Sequence, residues 1–194
     1  MLNKIKRFLF GTPAVRDLLL RAKDAMNDAG AHWIQGDMCR VVAPLDEDER
    51  YLGTASMLAK DPRKCGFCAV GALRFAAFGD YEVNSYEDEP FELYKNGLDV
   101  LAHSPVVVDF HTSTKSSSST YLGTLEQPVP HFGDLEGVVI AWNDYSGSDA
   151  YDEETEKYVQ VNAGTSWAEV EAGFLRAALA AGGPVRRFRA RRGV

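Results

Sequence analysis

A mostly helical α+β domain is the fold class this sequence predicts, on three observations. Amphipathic stretches with helix start and stop signals dominate the first hundred residues and recur near the end. Short β-branched runs, enough for a small antiparallel sheet, occupy the stretch from residue 105 to about 161. The chain also has 194 residues, 45% of them apolar and 25% charged, which suits one core of ordinary size. Residues 1–183 read as the globular domain and 184–194 as an arginine-rich tail.

The first helix is signalled by Thr12-Pro13, a capping residue followed by proline at the first helical position, and it should end by Gly30. Val15, Leu18, Leu19, Ala22 and Met26 recur along it at helical spacing. A second helix, Asp46 to Ala59, opens on the capping pair Asp46 and Glu49 and stops before Asp61-Pro62. Phe67 to Phe78 is rich in small residues and closes at Gly79, the pattern of a buried helix on which neighbours pack closely. Pro90 starts another, with Phe91, Tyr94, Leu98 and Leu101 on one face and an end near His103.

Three strands follow: Pro105 to His111, Val138 to Trp142 and Tyr158 to Val161, all short and β-branched. Ser113 to Thr120 is a polar, serine-rich loop, and Tyr145 to Lys157 an acidic excursion or long hairpin loop. The last helix opens on the capping box Ser166-Trp167-Ala168-Glu169, carries Trp167, Val170, Phe174 and Ala178 as a stripe, and ends at Gly182-Gly183-Pro184.

No window holds the roughly 18 apolar residues of a membrane span, and the basic start has too short an apolar stretch for a secretory leader. With three cysteines, an odd number, the expectation is a cytosolic chain with reduced thiols, or a virion component if phage-encoded. The net charge is −7, but Arg186, Arg187, Arg189, Arg191 and Arg192 crowd the last nine residues, and removing them leaves −12. A body this acidic repels phosphate backbones, so nucleic acid is expected at most on the tail. That tail reads as a solubilising extension, a strap across the acidic surface, or an arm for an anionic partner, with Phe188 among the arginines to stack on a base or plug a groove. The acidic runs Asp80–Glu92 and Asp144–Glu156 read as solvated surface, with docking or weak cation binding as the alternative.

Cys65-Gly66-Phe67-Cys68 is half of a zinc signature, which Cys39 with His32, His103, His111 or His131 would complete, although a second knuckle is missing. A thioredoxin-type use needs a preceding strand, which Asp61-Pro62-Arg63-Lys64 does not read as. The same four residues have the outline that precedes the helix of papain-like proteases. There Cys68 would be the nucleophile, with His111 as base and Asn143 or Asp144 as its orienter, but no glutamine for an oxyanion hole stands at the expected upstream distance, Gln35 being the nearest, and no aromatic follows Cys68. Buried cysteines in alanine-rich helices are more often simple small hydrophobes. Phosphate loops, dinucleotide fingerprints and hydrolase elbows are absent. Trp142-Asn143-Asp144 at the end of the expected strand either lines a cleft or, the favoured reading, fills the core with Trp142 while Asn143 and Asp144 make a turn or cap a neighbouring helix.

Trp33-Ile34-Gln35-Gly36, Cys68-Ala69-Val70-Gly71-Ala72-Leu73, Trp142-Asn143-Asp144, and Thr165 with Glu169-Val170 together resemble the ordered landmarks of DUF6197, a family of unknown function found in actinobacteria and their phages. The resemblance spans about Ala29 to Ala180. Two departures stand out: Phe67 where a tryptophan often precedes the cysteine, and an insertion from Tyr145 to Gly164. It implies a small cytosolic accessory protein and no reaction, and directs interest to Cys68, Asn143 and Asp144.

The leading expectation is a non-enzymatic accessory protein of a phage or actinobacterium that binds a protein partner, itself included, without cofactor. Its binding residues would be Trp142, Asn143, Asp144 and the tail's Arg186, Arg187 and Arg189. The alternatives are a cysteine-dependent hydrolase or transferase using Cys68, His111 and Asp144, and a zinc-stabilised module using Cys39, Cys65 and Cys68.

Overall fold

The first helix forms where its signals place it. α1 spans Pro13–Asn27 and buries Val15, Leu18, Leu19, Ala22 and Met26, the five residues whose spacing predicts it. In the computed structural model, which describes residues 13–27, 32–41, 65–79, 89–113, 119–127, 131–152 and 157–182, six more helices follow. These are α2 (Ala69–Phe78), α3 (Glu89–Ala102), α4 (Pro105–Thr112), α5 (Ser119–Glu126), α6 (Phe132–Asn143) and α7 (Trp167–Ala181). The helix expected over Asp46–Ala59, most of the serine-rich loop and the arginine tail lie outside the described residues.

The small-residue helix behaves as its composition predicts. α2 buries Ala69, Val70, Gly71, Ala72 and Leu73 in its first half and stops at Gly79, whose left-handed backbone (φ 72°) returns its amide to the Phe75 carbonyl. α3 buries Phe91, Tyr94, Leu98 and Leu101, and α2, α1, α6, α7 and α4 all pack against it. α7 begins with the complete capping box: Ser166 Oγ accepts the Glu169 amide and the Glu169 carboxylate accepts the Ser166 amide.

Two expected strands are helices. Pro105 to His111 lies within α4, which starts with Ser104 at the cap position and Pro105 in the first turn and buries Val107 and His111 one turn apart. Val138 to Trp142 lies within α6, where Leu135, Val138, Val139 and Trp142 are buried at three- and four-residue spacing. β-branched residues favour strands only weakly, and packing against helices overrode that preference in both segments.

The sheet is assembled from other residues. β1 (His32–Trp33) and β2 (Cys39–Val41) flank β3 (Cys65–Phe67), parallel on one side and antiparallel on the other. β4 (Gly147–Asp152) and β5 (Lys157–Ala163) make a separate antiparallel hairpin, so the acidic excursion is itself half strand, and only the third expected strand stands where it was placed. No helix among the described residues is long and apolar enough to cross a membrane.

The backbone just before β2 comes so close to the start of α2 that a Cβ on Gly71 would overlap the Met38 carbonyl. Backbone cannot rotate away as a side chain can. Gly71→Ala should therefore lower stability by about 3 kcal/mol in urea unfolding. Gly123→Ala, on α5 with nothing near its Cβ direction, should be neutral or gain about 0.5–1 kcal/mol from helix propensity.

Candidate functional site

Asn143 is the last residue of α6 and has no exposed surface. A buried amide must find its partners inside the protein. Its Oδ1 accepts from the Trp33 indole Nε1 (2.9 Å) and from the backbone amide of Ala69 (3.0 Å), one of the orphan donors at the start of α2. Its Nδ2 donates to the Ile34 carbonyl (3.2 Å) and to Asp144 Oδ1 (2.6 Å). One side chain thus ties the segment after β1, the beginning of α2 and the end of α6.

The last carbonyls of α6 are satisfied by the same neighbourhood. Gln35 Nε2 donates to the Asn143 carbonyl (2.7 Å) and reaches those of Tyr145 and Thr165 at 3.3 and 3.4 Å. Thr165 Oγ1 donates to the Trp142 carbonyl (2.6 Å), and its amide to that of Tyr145 (2.7 Å), which fixes the approach to α7. The Trp33 ring, whose indole donates to Asn143, also meets the Trp167 ring, with centroids 6.5 Å apart. Trp142 is buried, and Gly173 lacks the Cβ that its ring would meet at 2.7 Å. The four landmark segments, distant in sequence, therefore meet at one hydrogen-bonded junction.

Cys68 caps α2 at this junction. Its amide donates to the Met38 carbonyl (3.3 Å) and its sulfur accepts the Gly71 amide (3.4 Å). Helix N-termini acidify thiols, but here burial prevails. The thiol is pushed up to about 11, mainly by desolvation and further by Asp144, against the Gly71 hydrogen bond. At neutral pH it is a protonated, buried group. The motif's first cysteine sits in β3, so a strand does precede α2, and it contains the first three of the motif's four residues.

His111, in the last turn of α4, is buried with Nε2 donating to the Val138 carbonyl of α6 (2.9 Å), a turn and a half before Asp144. Asp144 acts electrostatically on Cys68 and accepts from Asn143, while His111 is anchored on Val138. Cys65 and Cys68 are buried and Cys39 is half-buried on β2 opposite Phe67. Among the described residues no three His, Cys, Asp or Glu side chains gather to hold a metal ion. Of the expected binding residues, Trp142 and Asn143 face inward, Asp144 is half-buried, and the arginines lie outside the described residues.

A second polar cluster was not singled out from the sequence. Arg74 of α2 bonds Glu136 of α6 through Nη2 (2.6 Å) and Nε (3.2 Å), and the Tyr94 hydroxyl of α3 donates to the same carboxylate oxygen. Burial opposes the Arg74 charge, but Tyr94 and Glu136 outweigh it and the guanidinium stays ionised. Burial and the neighbouring carboxylate push the Tyr94 hydroxyl far above its ordinary range. The signal available was Tyr94 itself, a core-stripe residue whose hydroxyl must find a partner.

Replacing Asn143 by alanine strands the Trp33 indole, the Ala69 amide and the Ile34 carbonyl. Asn143→Ala should cost about 3 kcal/mol or more in urea unfolding, with a changed tryptophan emission. Burial lowers the His111 pKa below its ordinary value, so the folded state resists its protonation. The stability this contributes is present above about pH 6.5 and lost as pH falls. His103, raised because its bonds to Asp99 outweigh its burial, has the opposite sign. The stability of wild type relative to His111→Gln, measured by urea unfolding, should therefore fall between pH 7.5 and 5.5, since the shared His103 contribution cancels.

A family model described as a family of unknown function (DUF6197) matches residues 11–152. No curated protein and no solved structure matches the chain.

Proposed function

The chain belongs to the family of unknown function DUF6197, and from that premise we propose that it works by binding another protein through the outer face of α7, as an accessory component without chemistry of its own. One observation carries this reading. The large hydrophobic side chains left exposed among the described residues are Leu175 (40%) and Leu179 (59%), one turn apart on that helix. A surface helix ordinarily turns charged residues to solvent, and α7 already buries Val170, Phe174, Ala177, Ala178 and Ala181 on its core side. It therefore has two apolar faces, one without a partner among the described residues. Covering both leucines is worth about 3 kcal/mol.

The state of the landmark polar groups supports the same reading. Asn143, Gln35 and Thr165 hold neighbouring segments together, and the Cys68 thiol is shielded and protonated. A photo-crosslinking residue at position 179, introduced in cells that naturally make the protein, should give a discrete cross-linked protein product. The same residue in place of the exposed Asp134 of α6 should not. No product at 179, or equal products at both positions, would overturn the proposal.

A further inference from the structure

We infer that the occupant of this face is a second copy of the chain, with α7 pairing in parallel against α7 about a two-fold axis; this rests on the reading of α7 as a binding surface. Ala168, Ala172, Leu175 and Leu179 fall on one narrow stripe of the helix, at spacings of four, three and four residues. That is the alternation of a and d positions in a coiled-coil seam, with Ala172 and Leu179 at a and Ala168 and Leu175 at d. The residues that α7 buries in its own domain, including Val170, Gly173, Phe174 and Ala177, lie on the opposite side. Two domains joined along the stripe therefore sit outward of the pair. The alanines at one end let the helices approach closely, and the leucines at the other fill the seam.

The charges flanking the stripe select the partner and its direction. Glu171 occupies the g position on one flank and Arg176 an e position on the other, where the preceding e residue, Glu169, is engaged with Ser166 in the capping box. In a parallel two-stranded pair, g of one helix meets e five residues further along its partner, the spacing between Glu171 and Arg176. The two-fold axis makes that contact twice. An antiparallel pairing would instead set g against g and e against e, where Glu171 meets no base and Arg176 meets only Glu169, whose carboxylate is already bound by Ser166 in the capping box. Within α7, neither residue has an opposite charge three or four positions away, so the helix offers no internal pair to compete. The leucines supply attraction and the flanking charges supply self-recognition. A seam of about one and a half heptads gives a reversible, concentration-dependent dimer.

Sedimentation velocity over a concentration series tests this with Glu171→Arg, Arg176→Glu and their equimolar mixture. Wild type should dimerise reversibly. Each charge reversal alone should weaken dimerisation about tenfold or more, and the mixture should restore it, because every g-to-e contact in the mixed pair is again of opposite sign. Both positions are on the helix surface, and circular dichroism should show unchanged helix content. Leu179→Glu should abolish the dimer. A wild-type monomer at all concentrations, or a dimer indifferent to the charge reversals, overturns the inference. If position 179 then cross-links to a different protein, the surface reading stands and only the self-pairing fails; if it cross-links to nothing, both fail.

Discussion

The fold is tied together at the Asn143 carboxamide. Four hydrogen bonds from one buried side chain satisfy an indole, a helix-starting amide, a loop carbonyl and a neighbouring carboxylate. No other residue type fits as well: aspartate could not donate to the Ile34 carbonyl, and leucine could neither donate nor accept. In a low-dielectric interior each bond is worth more than in water, and each loss leaves a desolvated group unpaired. The short β1–β3–β2 sheet is positioned through this contact, since β1 and β3 are two and three residues long and cannot hold their place by pairing alone.

Around that junction the helices pack by making room. Gly71 admits the Met38 carbonyl and Gly173 admits the Trp142 ring, so β2 and α7 both close onto the centre at places where any side chain would hold them off. α3 fills the middle, and its Tyr94 hydroxyl finds the Glu136 carboxylate that Arg74 also binds. Such a half-buried ion pair adds little net stability against an apolar substitute. It does prescribe which faces of α2, α3 and α6 meet, because a shifted packing would leave a charge unmatched.

The same economy explains why the family's landmarks need not mark a reaction. A cysteine at a helix start, an asparagine beside an aspartate and a buried histidine are the ingredients of thiol catalysis. Here the thiol takes a backbone amide and lies under cover, and the imidazole is anchored on a carbonyl of α6. Among the described residues, the surface feature that stands apart is α7, which buries one apolar side and leaves Leu175 and Leu179 exposed on the other.

Local signals sufficed for α1, α2, α3 and α7, whose caps, stops and stripes are written within 10 to 15 consecutive residues. The family resemblance was also legible, as four short segments in order. Where periodicity was brief, local reading failed. Val106-Val107-Val108 and Val138-Val139-Ile140 have strand-like side chains, yet both lie in helices because the buried positions recur every three or four residues against helical neighbours. Strands of two or three residues leave no periodicity to read, so β1, β2 and β3 escaped notice. The Asn143 junction escaped for another reason: apart from the adjacent Asp144, its partners lie 74 to 110 residues away in sequence. By itself, then, the sequence determined which segments are amphipathic helices and which family's landmarks they carry, because those are properties of neighbouring residues. Only the tertiary structure decided that the landmark polar groups turn inward on one amide and that α7 keeps a second apolar face outside. Hydrogen-bond partners and burial are relations between segments, and they exist only once the chain has closed on itself.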